Sequence, residues 1–329
     1  MPGTASLPVF EASATPATDP ANGQFYDNAG VPYFVNARGV ATALGGSSSP
    51  ARAYFGDGSD GAAAFNGSAV TGASGIGPYT LTRDVYYTSC TLNASTVVNT
   101  AGFRIFCTGT LTLNTSSIIQ NNGAAASGAT GGAGGTEAFL GGAVPNTGAT
   151  APGGASTNGN AGPNMATSGY GGAGGAGGNS AATQTGGAGG TVTPITGVVP
   201  RDVPEAALGA VWAYASQVFI SVQGGGGGGS GATGTTGIAG GGGGGGGVVV
   251  VCAEPITGAG TITANGGAGG AGTLNSGSGG GGGGGVVIVV SEVSSGWTGG
   301  TSVAGGALGS GGAHNGVAGS SGLAIRIAG

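Results

Sequence analysis

The sequence predicts an all-β protein in three parts: a short β-meander arm, a β-helix or solenoid-like stalk, and a C-terminal half built as a glycine-rich polyglycine-II/β sandwich. Three observations predict it. The blocks before residue 122 are dominated by Thr, Tyr, Val and Ile, alternate with period two, and carry Gly/Asn turn signals at roughly 8–12-residue spacing. Glycine supplies 85 of 329 residues, several times the usual share of about 7%, and recurs with period three. Charged residues make up only 5% of the chain and hydrophobic ones 39%, the reverse of a disordered composition.

Residues 1–46 are the first part. A lead rich in Pro, Ala and Thr, "PVFEASATPATDPA", reads as an extended arm. "GQFYDNAGVPYFVNARGVATAL" then alternates short apolar runs with turn signals at Asp27–Gly30 and Asn36–Gly39, the pattern of a small β-meander. Such a unit buries too little surface to stand alone. It therefore predicts a homo-oligomer: two or three copies together would bury enough, and a trimer is the expected state.

Residues 50–122 form the stalk. "YTLTRDVYYTSCTLNAS", "TVVNTAGFRIFCTGTLTLN" and "SSIIQNNG" read as short strands stacked in rungs. Two or three rungs fit, and the rest of the stack must come from downstream.

Residues 123–329 are the glycine-rich part. "GGAGG" at 131–135, "GGAGGAGG" at 171–178 and "GGAGGAG" at 266–272 repeat every third residue. That period is neither helical nor that of a strand. It fits the polyproline-II-type helix, with three residues per turn and a rise of about 3.1 Å. Triplets of Gly-Gly-Ala leave two faces bare, so neighbouring backbones can approach and exchange hydrogen bonds. "GGGGGGGGVVVV" from Gly240 and "GGGGGGGVVIVV" from Gly279 repeat at an offset of 39 residues, and each run feeds a buried strand. One segment breaks the pattern. "RDVPEAALGAVWAYASQVFISVQ" (Arg201–Gln223) has an Asp202/Glu205 capping arrangement and predicts a short helix to about Ser216, followed by a strand.

Several function classes are disfavoured. There is no lysine, the six arginines are scattered and the net charge is −5, so neither nucleic acid nor membrane insertion is expected. The longest apolar runs fall far short of the roughly 20 residues that span a bilayer. The N-terminus has neither a basic start nor an apolar core, so no secretion signal is expected. Cys90, Cys107 and Cys252 read as small buried hydrophobes, with Cys90 and Cys107 as the pair that adjacent strands could bring face to face. They form no metal-ligand pattern, and no metal or cofactor is expected. Patterns such as GxGxxG arise by chance at this glycine content and carry no weight. The one histidine, His314, lies in a glycine loop and not beside an orienting carboxylate. Asp57, Asp60 and Asp84 are the carboxylates from which a glycosidase could be built, but "GDGSDG" reads more simply as a turn. The chain is expected not to be an enzyme.

A binding role fits better. If the glycine segments form a rigid slab, the sequences joining them become loops: 136–170, 229–240, 271–280, 291–305 and 309–322. These are rich in Ser, Thr and Asn with isolated aromatics, a recognition design. Phe139, Tyr170, Trp297 and His314 are the candidate receptor contacts.

Together, "RAYFGDGSDG…YTLTRDVYYTSCTLNASTVVNTAGFRIFCTGTLTLN" and the "GGGGGGGGVVVV…TGAGTITANGGAGG" repeats resemble the glycine-rich tail-fibre and head-fibre proteins of tailed bacteriophages. The glycine-rich half also resembles tail-tip adhesins whose receptor loops project from a polyglycine-II sandwich. The opening segment is similar to the short β pieces by which such fibres attach to the particle, which would give Phe25, Tyr26, Tyr33 and Phe34 that role. The resemblance implies a virion fibre protein at the particle surface. Its partners would be other tail or capsid proteins and a host-surface glycan or protein. The alternatives are a capsid decoration or head-fibre protein and, further off, a polysaccharide depolymerase.

Overall fold

The computed structural model describes residues 24–28, 31–35, 41–43, 55–136, 148–164, 171–192, 224–291 and 296–328. It divides the chain into two units, Met1–Ala53 and Tyr54–Gly329. In the first, β1 (Gln24–Asn28), β2 (Val31–Val35) and β3 (Ala41–Ala43) pair antiparallel in that order. The register sets Phe25 opposite Phe34 and Tyr26 opposite Tyr33. The predicted helix and strand within Arg201–Gln223 lie outside the described residues, as do Phe139 and Tyr170.

The valine runs dictate the second unit. A strand with apolar residues at every position must be covered on both faces, and parallel neighbours in register provide that. β12 (Val248–Ala253) is buried at all six positions and pairs parallel with β15 (Val286–Ser291), Val248 opposite Val286. The partner offset is thus 38 residues, one fewer than the spacing of the glycine runs, because the first run holds eight glycines and the second seven. β17 (Leu323–Ala328) continues the sheet beyond β15.

On its other side β12 pairs with β9 (Ile105–Cys107), and β9 with the first half of β7 (Val85–Leu92). The second half of β7 pairs with β10 (Leu111–Leu113), and β10 with β13 (Ile256–Gly258). These seven strands make one curled, half-barrel parallel sheet, with β4 (Gly61–Phe65) joined to β7 off the main path. A second sheet holds β5 (Ala73–Ser74), β6 (Tyr79–Leu81), β8 (Val97–Asn99), β11 (Ile118–Gln120), β14 (Thr261–Thr263) and β16 (Thr301–Ser302). All its pairings are parallel except β5 with β6.

The core draws on both sheets. Val249, Val251, Val287 and Val289 join Phe65, Tyr87, Leu92, Ile105, Leu111, Leu113 and Ile256, together with Tyr79, Val98, Ile119 and Ile262 of the second sheet. The alternate residues Val248, Val250, Cys252, Val286, Ile288 and Val290 build a second cluster with Phe55 and Phe106. At about 25 cal/mol per Å² of apolar surface, burial on both faces makes these strands the main hydrophobic contribution to folding.

This corrects the expected fold class. The second unit is not an all-β fibre in which a stalk precedes a separate polyglycine-II/β sandwich. It is a parallel-sheet fold of the kind found in α/β proteins, with no helix among the described residues. The physical reason lies in the ladders: β9–β12, β10–β13 and β11–β14 join strands from either side of the glycine segments into the same two sheets. Period-two alternation within short segments cannot reveal a partner about 140 residues away.

The glycine segments lie on the N-terminal side of β12, β15 and β17 and bond to one another with a period of three. Gly240, Gly243 and Gly246 donate to the carbonyls of Gly277, Gly280 and Gly283. Gly241, Gly244 and Gly247 donate to Gly128, Ala124 and Asn121, and Gly242 donates to Ala149. The carbonyls of the same run accept from Gly225, Gly228 and Gly231, from Gly267 and Gly270, and from Gly132 and Gly135. Every residue from Gly240 to Gly247 is buried. Backbone packs on backbone so closely that a Cβ on Gly244 would collide with the Ala133 carbonyl oxygen.

Candidate functional site

Because these glycine runs enter strands at their C-terminal ends, their N-terminal ends and connecting loops gather away from the sheets. Five loops meet there. Gly234 N–H donates to Ser276 Oγ (3.0 Å), and Ile238 N–H to Thr273 Oγ1 (2.8 Å). Asn275 Nδ2 donates to Thr236 Oγ1 (3.3 Å). Backbone bonds from Ser156 to Gly234, Ala181 to Asn275 and Ala313 to Ser276 bring in the other three loops. Ser276 and Ser278 are fully buried and brace the cluster from below.

Two aliphatic side chains stand out on this tied loop end. Leu274 is 71% exposed and Ile238 59%. Their loops are bonded to each other, and a Cβ on Gly237 would come within 3.0 Å of Leu274 Cβ. Leu274 also holds φ at +51°, a left-handed conformation unusual for a bulky residue. Holding an apolar side chain in solvent on a backbone it disfavours costs about 1 kcal/mol or more. Such strain is commonly retained at binding surfaces.

Of the expected receptor contacts, His314 lies on this end. It is exposed, and its carbonyl accepts from Ser278 N–H. Trp297 lies elsewhere, at the β13–β14 turn. Its indole Nε1 donates to Gly260 O (2.8 Å), its ring packs on the core, and the Arg326 guanidinium stacks 4.2 Å from the ring centroid. The glycine bundle separates Trp297 from His314. Ile238 and Leu274 are not among the expected contacts. The available signal was a lone aliphatic residue within "TTGIAG" and "GTLNSG".

The carboxylates are engaged structurally. Asp57 accepts from Ser59 N–H (3.0 Å) in a turn, and that hydrogen bond lowers its pKa. Asp60 takes both Arg83 terminal nitrogens and the Tyr86 N–H, and the Arg83 contact holds its carboxyl below the ordinary range. Asp84 pairs with buried Arg104 (2.6 Å). All three cysteines are free thiols, buried in the strands. Burial pushes the Cys90 thiol well up and that of Cys252 to about 12. No group of three or more His, Cys, Asp or Glu side chains suited to a metal occurs among the described residues.

A second concavity lies at the outer edge of the six-stranded sheet, a cavity of about 720 Å³ between the 66–78 loop and the 93–97 turn. No family model matches the chain, no curated protein matches it, and no solved structure matches it.

Proposed function

We propose that the chain is a virion fibre protein of a tailed bacteriophage that contacts the host surface through the loop end of its glycine bundle, by binding and not by catalysis. The observation that carries this reading is the pairing of Leu274, exposed and left-handed, with Ile238 on a cross-bonded loop end. A bundle with hydrogen bonds in every direction is a stiff mount, and stiffness lowers the entropy lost when a loop end binds. Apolar anchors amid Ser, Thr and Asn suit the face and edges of a surface glycan or the rim of a surface protein. In this reading residues 1–46 attach the chain to other tail or capsid proteins, as a homo-trimer.

Labelled full-length protein applied to a panel of bacterial cells tests the proposal. Binding to a subset of strains is expected, with at least tenfold weaker binding after the double change Ile238→Ser, Leu274→Asn. Uniform failure to bind, or binding untouched by that change, would refute it.

A further inference from the structure

We infer a second binding site, for a neutral saccharide, in the groove at the outer edge of the six-stranded sheet. It does not depend on the loop end. One wall is the 66–78 loop, fixed by buried Tyr79, whose hydroxyl accepts from Gly67 N–H (2.7 Å) and donates to Ser68 O (3.0 Å). The Tyr79 ring meets Phe65 edge-on at 4.9 Å, which anchors that wall in the core. The other wall is the 93–97 turn, held by Asn93 N–H on Phe65 O and by Thr96 Oγ1 on the same carbonyl. Both walls hang from one strand end, so the groove is formed before any ligand arrives.

The lining selects the ligand class. None of the residues around the cavity is charged, so a charged ligand would lose hydration there without gaining a counter-charge. The floor is the amide pair of Asn99 and Gln120: Gln120 Nε2 donates to Asn99 Oδ1 (2.7 Å), and Asn122 Nδ2, outside the cavity, donates to Gln120 Oε1 (2.9 Å). These bonds orient the amides and leave N–H donors of Asn99 unused among the described residues. The polar strip continues across the sheet through Thr263, which donates to Asn122 Oδ1, and Ser302, which donates to Asn265 Oδ1. Asn99, Gln120, Thr263 and Ser302 lie on four successive strands; Asn99 and Gln120 line the cavity, whereas Thr263 is only 8% exposed and holds Asn122 in place. Above it Ile76 is 65% exposed and supplies an apolar wall with Pro78. Oriented amides below and an apolar wall beside them match the hydroxyl edge and C–H face of a sugar ring.

The test uses the full chain with three hexasaccharide probes, namely maltohexaose, chitohexaose and acidic hexagalacturonate, read by saturation-transfer NMR and calorimetry. At least one neutral hexamer is expected to bind, with hexagalacturonate at least tenfold weaker. Asn99→Leu should weaken the neutral ligand about tenfold. Ile76→Ser, at an exposed position that folding tolerates, should weaken it about fivefold, and neither change should alter cell binding through the loop end. Failure of both neutral hexamers to bind, equal binding of the acidic one, or affinity unchanged in Ile76→Ser would overturn the inference.

Discussion

Gly244→Ala probes the packing on which the loop end rests. A Cβ at this position meets the Ala133 carbonyl oxygen, a backbone atom that itself accepts from Ala124 N–H (2.7 Å). Moving Ala133 aside disturbs that bond. It also disturbs the neighbouring bond from Gly244 N–H to Ala124 O (3.0 Å). Overpacking costs about 1–3 kcal/mol, and each buried bond left unmade adds about 1–3 kcal/mol. Alanine restricts the unfolded chain and returns about 0.4–1 kcal/mol. With both bonds lost the net is about 2–9 kcal/mol, a large share of a stability of about 5–15 kcal/mol. Urea unfolding followed by circular dichroism measures it. Gly153→Ala is the control, because a Cβ there meets nothing within 4 Å, and its midpoint should move by less than about 0.5 kcal/mol equivalent. If both variants unfold at the same urea concentration, the close-packed account of the glycine bundle is wrong.

Other consequences are equally concrete. Asp84→Ala removes the carboxylate from Arg104, whose side chain is only 6% exposed, and should destabilise by about 3–5 kcal/mol in the same titration. Asp60 has a lowered pKa in the folded state, so its contribution is full above the unfolded carboxyl value near 4 and fades as pH falls through the lower folded value. Melting temperature should therefore drop below about pH 4, and Asp60→Asn should flatten that limb; an unchanged limb would assign it to other groups. All three thiols should resist a thiol reagent at pH 8 in the native state and all three should react in denaturant, because burial keeps them protonated. Fewer than three reacting without reductant would mean that a disulfide had formed. Leu274→Asn places a residue tolerant of left-handed backbone at φ +51° and should raise stability by about 0.5–1 kcal/mol while weakening cell binding.

Some of this was legible in the sequence. The period of three in the glycine triplets is a hydrogen-bonding period, and the valines after Gly247 form a strand buried on both faces. What could not be read was which strands share a sheet. Ile105 pairs with Val251 and Leu111 with Ile256, partners chosen by a core that forms only when the whole chain is folded. The division into stalk and slab therefore failed as a fold class. The candidate site was partly legible. Of the expected loops, segments within 136–170, 229–240, 271–280 and 309–322 meet at one end, joined by the Ala181 turn, which the composition does not mark, while Trp297 of the 291–305 segment sits at Gly260. Trp297 satisfies its indole N–H and packs on the core, whereas Leu274 is marked by a backbone angle that no composition reveals.

The most direct test of the central claim is the binding of labelled full-length protein to bacterial cells, comparing wild type with Ile238→Ser, Leu274→Asn at matched folded concentration. The account predicts strain-selective binding by the wild type and at least a tenfold loss in the double variant, with the melting temperature maintained. Equal binding by the two proteins, or binding by neither to any strain, would contradict it.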